Sequence, residues 1–277
     1  GDQSNNDAAG SGAVYMFVRS GTTWTQQAYI KASTAGATDN FGKAVALDGD
    51  TLAVGAWFED SNATGVDGDQ SNNDANDSGA VYVFVRSGTT WTQQAYVKAS
   101  NTEATDGFGY SLALDGDTLA VGAPDTHGSY DSHTGRVYMF ARESGTNTWA
   151  AVAGPGGGLL KMDAYGQDVA HEDDVFGYAV GLASESFLAA LNFHAGSGDT
   201  GFTDLAEVHF FDETTKVANV DGVSFTERSE YAMPSDVVAG DLREPSIVAN
   251  TQPMQTVAVS ETDPYTLIVG AEGKDGG

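Results

Sequence analysis

The stretch DNFGKAVALDGDTLAVGA at Asp39–Ala56 returns at Asp106–Ala123 as DGFGYSLALDGDTLAVGA, a shift of 67 residues from Phe41 to Phe108. The same shift carries GDQSNNDAAGSGAVYMF, beginning at Gly1, onto GDQSNNDANDSGAVYVF, beginning at Gly68. It also carries WTQQAYIKAS at Trp24 onto WTQQAYVKAS at Trp91. Self-similarity at such a period demands one supersecondary unit used again and again, each burying its apolar face against the next. The chain must therefore form a stack or a ring of repeated sheets.

Each unit reads as four strands, here a, b, c and d. FGKAVALD is strand a, the Asp48–Gly49 pair a tight turn, and TLAVGA the return strand b. An Asp-Gly pair between apolar runs is a strong hairpin signal, because glycine accepts the positive φ such turns need. A long polar loop from Trp57 to Gly79 leads to strand c, AVYVFVR, then an SGTT turn and strand d, WTQQAYVKA. Full units are expected at residues 39–105, 106–173 and 174–253. A c–d half unit at 1–38 precedes them and an a–b half unit at 254–277 follows.

The second unit has a shorter b–c loop, and its d strand is interrupted at Gly154–Gly158, although Trp149 and Leu160–Lys161 keep the pattern. The third is degenerate. It keeps Phe176–Gly177, has EVHFFDE as strand c and a d strand near Gly222–Arg228, and residues 229–253 read as a long insertion. The last a–b hairpin, TVAVSETDPYTLIVGAE, has lost its Phe-Gly.

In AVYVF, Val81 and Val83 face one way and Tyr82 and Phe84 the other, so both faces are apolar. A sheet with one solvated face would show polar residues on that side. Strands apolar on both faces fit sheets stacked between neighbours, as in the blades of a propeller. No stretch shows a helical period. The expected fold is all-β: a propeller of four-stranded antiparallel blades, about four of them in this chain.

Composition narrows the function. Twelve basic residues stand against 39 acidic ones, a formal charge of −27, which repels nucleic acid and anionic membranes and suits cation binding. There is no cysteine, which excludes a disulfide framework, a thiolate zinc site and a cysteine nucleophile. No apolar run reaches membrane-spanning length. The chain opens on Gly1 within a repeat, as expected of a mature or partial product.

Phe-Gly on strand a (Phe41–Gly42, Phe108–Gly109, Phe176–Gly177) and Val-Gly-Ala or Val-Gly-Ala-Pro on strand b (Val54–Ala56, Val121–Pro124, Val269–Ala271) resemble the FG-GAP repeats of integrin α-subunit β-propellers. The SGAVYVF–WTQQAY–KAS cassette is similar to the form of this repeat found in large extracellular microbial proteins. The resemblance is dense over residues 1–123 and thins beyond residue 194. It implies an extracellular or cell-surface propeller, commonly of seven blades, in adhesion and surface-structure roles. Two arrangements fit the blade count here. The chain is a piece of a larger propeller, or its C-terminal a–b hairpin pairs with its N-terminal c–d hairpin to close a four-bladed ring without an exposed edge.

The family holds calcium between strands a and b. Here that interval is only LDGDT, too short to wrap a cation with six to eight oxygens, so Asp48, Asp50, Asp115 and Asp117 are assigned to the turn. The oxygen ligands gather instead in the b–c loop: Asp67, Asp69, Ser71, Asn73, Asp74 and Asp77, with Asn76 among them. Alternating side-chain oxygens are how calcium loops surround a hard cation, although no Glu closes the loop, Ser78 standing there. The N-terminal counterpart keeps Asp2, Ser4, Asn6 and Asp7, and the second unit offers Asp125 and Asp131 with His127 and His133. Asn62 and Asn76 head Asn-x-Ser/Thr sequons in the same loop, candidate glycosylation sites in a secreted eukaryotic protein.

GSGDTG at Gly196–Gly201 lacks the following helix a phosphate loop needs. The five histidines have no zinc spacing, no serine elbow occurs, and no acid–base pair stands out. The expectation is a non-catalytic module that binds surface or matrix proteins, or copies of itself, through its loops, with calcium stiffening them. The alternative is a glycan-binding propeller using Trp57, with the repeated Trp24, Trp91 and Trp149 left to core packing.

Overall fold

A computed structural model describes residue 3 and residues 7–124, 135–144, 146–152 and 176–182, and the backbone alone of 183, 187–194, 205–217, 222–232, 256–259 and 267–270. Sixteen strands run through them in chain order, and the described residues contain no helix. β1 (Val14–Ser20) and β2 (Thr23–Ile30) form a two-stranded hairpin. Sheet I follows, with β3 (Val45–Asp48), β4 (Thr51–Ala56), β5 (Ala80–Ser87) and β6 (Thr90–Val97). Sheet II holds β7 (Ser111–Asp115), β8 (Thr118–Ala123), β9 (Arg136–Arg142) and β10 (Trp149–Ala151). Sheet III holds β11 (Ala179–Ala183), β12 (Phe187–His194), β13 (Leu205–Val217) and β14 (Gly222–Ala232). The hairpin of β15 (Thr256–Val259) and β16 (Leu267–Gly270) ends the series.

Every pairing within these sheets is antiparallel and between chain neighbours, so each sheet is a meander. The repeat extends to register. β1 pairs β2 through Val14↔Ile30 and Tyr15↔Tyr29, and β5 pairs β6 through Val81↔Val97 and Tyr82↔Tyr96. Both carry a register shift at the same place, between Met16 and Phe17 and between Val83 and Phe84. At β14 the strand runs on to Ala232, so residues 229–232, read from the sequence as the start of an insertion, belong to the sheet. Their Ser-Glu-Tyr-Ala run pairs with β13 at Phe210↔Ser229 and Glu207↔Ala232.

The core lies between sheets. Val81, Val83, Ala95 and Val97 of sheet I pack with Phe108, Leu119, Val121, Tyr138 and Phe140 of sheet II in one buried cluster. Val14, Ile30 and Ala32 of the first hairpin pack with Phe41, Val54, Tyr82 and Phe84 of sheet I in another. Strand a of each unit lies against the strands a and b before it: β7 on β3 and β4, β11 on β7 and β8, β15 on β11 and β12.

This contact gives the two glycine signatures their physical reason. A Cβ on Gly55 would sit 2.0 Å from the carbonyl oxygen of Gly109, and one on Gly122 would sit 1.9 Å from that of Gly177. The glycine of Val-Gly-Ala in one unit therefore touches the backbone of Phe-Gly in the next. Phe41 and Phe108 lock the same joint. Their amides donate to the carbonyls of Ser11 and Ser78 in the preceding unit, each at 3.0 Å. Their rings meet Tyr82 and Phe84, and Tyr138 and Phe140, edge-on.

The recurring tryptophans do not share one environment. Trp149 is buried and donates Nε1–H to Gln94 of sheet I, and Trp91 is half-buried and donates to Gln27 of the first hairpin. Trp24 is 64% exposed, under the Arg19 guanidinium, because no unit among the described residues offers it the corresponding glutamine. The expectation of core packing is thus corrected for Trp24.

Candidate functional site

The b–c loop of sheet I is held by its own polar groups. Asp67, in the left-handed region with φ 56°, takes the amide of Tyr96 on its Oδ1 and donates its own amide to the carbonyl of Tyr96. Val66 bridges Val97 beside it. The loop thereby lies along β6 as a short extra rung. Asp69 accepts both the amide and the hydroxyl of Ser71, at 2.9 and 2.6 Å, and these bonds hold its carboxyl below the ordinary range. Asn72 Oδ1 accepts the amides of Asn62 and Asp74 across the loop. The Asp77 amide donates to Asp60 Oδ1 at 2.8 Å.

These bonds distribute the six candidate ligands. Ser71 and Asn73 line a cleft of about 280 Å³ between this loop and the turn at residues 34–39. Asp67 is committed to β6, Asp69 to the Ser71 turn, and Asp74 stands exposed. Asp77 sits half-buried at φ 54° beside the joint, its carbonyl accepting the Gly107 amide. Among the described residues, no group of three or more Asp, Glu or His side chains is arranged to hold a metal ion. The sequon residues Asn62 and Asn76 are both exposed. Asp7 is exposed too, while Asp2, Ser4, Asn6, Asp125, His127, Asp131 and His133 lie outside the described residues, as do Gly154–Gly158, Leu160–Lys161 and Gly196–Gly201.

The acid of the cleft comes from residues the spacing of the loop did not single out: Asp39, Glu59 and Asp60. Asp39 is buried, and its Oδ2 accepts the Gly36 amide at 2.7 Å. Burial pushes its carboxyl up to about 6, the charges of Glu59 and Asp60 push the same way, and the Gly36 bond and Lys31 oppose them. Gln70 closes the cleft's rim by accepting the Ser33 hydroxyl at 2.8 Å. Asp39, Glu59 and Asp60 make the cleft that Ser71 and Asn73 also line negatively charged, but Glu59 is paired with Lys98 and the carboxylates are not grouped to hold a metal ion.

Behind it lies a buried polar knot. Lys98 Nζ is 2.9 Å from Glu59 Oε2 and 2.7 Å from Ser78 Oγ, with both charged side chains buried. The Ser61 hydroxyl meets Tyr96 at 2.6 Å and Glu59 at 3.2 Å. Burial pulls the Lys98 ammonium down against the pull of Glu59, and pushes the Tyr96 and Tyr82 phenols up. The Lys of each KAS cassette was legible in the sequence as a repeat position, but its burial was not, since Lys is normally a surface residue.

At the neighbouring rim, Trp57 is half-buried and stacked on Phe58 with centroids 3.6 Å apart, edge-on to Tyr110, with Lys43 Nζ 5.6 Å from its ring. The turn aspartates do more than turn. Asp50 and Asp117 bind Arg86 and Arg142 of strand c, and Asp48 accepts the Gly116 amide of the next unit.

Residues 24–84 and 91–140 match the FG-GAP repeat family. No curated protein matches the chain.

Proposed function

On the premise that this chain carries FG-GAP repeats, we propose that it is a non-catalytic, integrin-like β-propeller module of the cell surface or extracellular space. It acts in adhesion or as a building block of a surface assembly. The observation that carries this reading is the division of labour along the repeat. Strands and glycine signatures serve the joints between sheets, while charge and polar variety collect in the b–c loops on that rigid frame. Partners are surface or matrix proteins or further copies of the chain. No described helix is long and apolar enough to cross a membrane.

Calcium is the cation this reading calls for, drawn to the acidic cleft that Asp39, Asp60, Ser71 and Asn73 line, although no three carboxylates there are grouped to hold a metal ion. The glycan-binding alternative asks for a flat aromatic face open to solvent, and Trp57 gives one face to Phe58. The test uses beads coated with the full chain. They should cluster, or adhere to matrix-coated glass, in millimolar calcium and release in chelator. Beads that neither cluster nor adhere under either condition would overturn the adhesion and assembly reading.

A further inference from the structure

The repeat builds one polar frame twice. At the joint between the first hairpin and sheet I, the Gly36 amide donates to Asp39 Oδ2 at 2.7 Å, and the Thr34 hydroxyl stands 3.4 Å from the Tyr82 phenol. The 67-residue shift carries Thr34, Gly36 and Asp39 onto Asn101, Glu103 and Asp106 at the joint between sheets I and II. There the Glu103 amide donates to Asp106 Oδ2 at 2.8 Å, and the Tyr138 phenol donates to Asn101 Oδ1 at 2.8 Å. Tyr82 and Tyr138 are equivalent too, each opposite the valine of Val-Gly-Ala on strand b.

One position breaks the match. The residue that opens strand c, opposite the alanine of Val-Gly-Ala, is Ala80 in sheet I and Arg136 in sheet II. Strand alternation puts each on the face of the tyrosine that follows it, towards the preceding unit. Ala80 is fully buried and brings no charge. Arg136 is half-buried and hydrogen-bonds the Tyr138 phenol. Burial works against its charge, but the contact with Tyr138 and then the charges of Asp106 and Glu103 outweigh it and hold the guanidinium above its ordinary range. Arginine suits the place because it stays charged when half-buried and has donors enough for a phenol and a carboxylate at once.

The acid is therefore met differently at the two joints. At the second, Asp106 has the Arg136 guanidinium in electrostatic reach, and Lys98 as well. At the first, Asp39 faces Glu59 and Asp60 across the cleft, and Glu59 is engaged by Lys98. Lys31 opposes the Asp39 charge, but its hydrogen bonds go to Ser11 Oγ and the Gly12 carbonyl.

We propose that Arg136 is a built-in counter-cation, and that the residue opening strand c decides which joint takes a cation from solution. Alanine leaves the acidic cleft open to one, and arginine supplies its own. At the first joint this rests on the reading of the cleft as a place for a cation. At the second it rests on the contacts of Arg136 alone.

The test compares melts of the full chain at neutral pH. Arg136→Met keeps an unbranched side chain and loses the charge, so it should lower Tm by about 3 °C or more. Arg136→Lys should keep most of the parent's Tm. Adding Asp106→Asn to Arg136→Met should cancel most of the loss, because it removes the charge that needs a counter-ion. At the first joint, Ala80→Arg should abolish the rise in Tm that millimolar calcium gives the parent. Ala80 is buried and its variant can fail to fold, so the second joint supplies another readout: Arg136→Met should gain a larger calcium response than the parent's. Equal Tm for the Met and Lys variants, or losses at 136 and 106 that simply add, would overturn the proposal. So would an Ala80→Arg chain that folds and keeps the parent's calcium response. A parent without any calcium response removes the cation from the first cleft, and the Arg136–Asp106 coupling then decides the role of Arg136 by itself.

Discussion

Lys98 and Glu59 face each other at 2.9 Å with both side chains buried, joining strand d of sheet I to the start of its b–c loop. Removing one member of such a pair leaves a desolvated charge, which costs about 3–5 kcal/mol, whereas replacing both with apolar groups is often neutral. Glu59→Ala should therefore destabilise the chain by roughly that amount in urea melts. Glu59→Leu with Lys98→Met should recover most of the loss. If the double variant is as unstable as the single, the pair does more than neutralise itself, and the Ser61–Tyr96 contact is the next place to look.

The Arg86–Asp50 and Arg142–Asp117 pairs look similar on paper and should behave differently. They are solvent-exposed at the aspartate, so Coulomb attraction is screened and side-chain ordering offsets it. A double-mutant cycle on Arg86 and Asp50 should return a coupling under about 1 kcal/mol. Arg142 also donates to Thr51 of sheet I at 3.0 Å, so Arg142→Ala should cost more than Arg86→Ala.

Much of the fold was legible because the repeat tells the same story at several levels. The Asp-Gly turns place the a–b hairpins, two-sided apolar strands require stacking, and the 67-residue shift fixes the order. The degenerate third unit was readable in outline, but β13 runs on to Val217 past the expected EVHFFDE and β14 on to Ala232, because polar residues such as Ser229 and Glu230 pair in the sheet like any others. The candidate site was less legible. Its carboxylates come from two places: Asp39 ahead of strand a, and Glu59 and Asp60 after strand b. Only folding brings them to Ser71 and Asn73. A search for alternating ligands within one loop finds the loop and misses the cleft. Nor does composition reveal Lys98, since burial of a lysine depends on a partner 39 residues away.

Gly55 tests the meaning of the Val-Gly-Ala signature. A methyl group there would stand 2.0 Å from the backbone oxygen of Gly109, and backbone cannot step aside as a side-chain tip can. Gly55→Ala should cost about 1–3 kcal/mol or more through overpacking at the joint between sheets I and II. An exposed strand-end change such as Ser87→Ala should stay within about 0.5 kcal/mol. Chemical denaturation of both variants decides it. A Gly55→Ala chain as stable as its parent would mean that the two sheets slide to relieve the contact.

Asp39 should make stability depend on pH in a direction opposite to that of a salt-bridged carboxylate. Its folded pKa, pushed up to about 6, exceeds the ordinary value of 3.8. Between those values the native state holds more protons than the unfolded chain. The contribution is therefore fully present below about pH 4 and is lost as pH rises through 6. At pH 7 the ionised, buried carboxylate costs up to about 3 kcal/mol. Asp39→Asn keeps an oxygen for the Gly36 amide, so it should flatten this slope and raise Tm at pH 7. A cation in the cleft stabilises the ionised form and should act as the mutation does. Millimolar calcium should then raise Tm more at pH 7 than at pH 5, and should do little to the Asp39→Asn chain. A calcium shift of equal size at both pH values and in both chains would place the ion away from Asp39. No shift up to millimolar calcium would remove the ion from the function proposed.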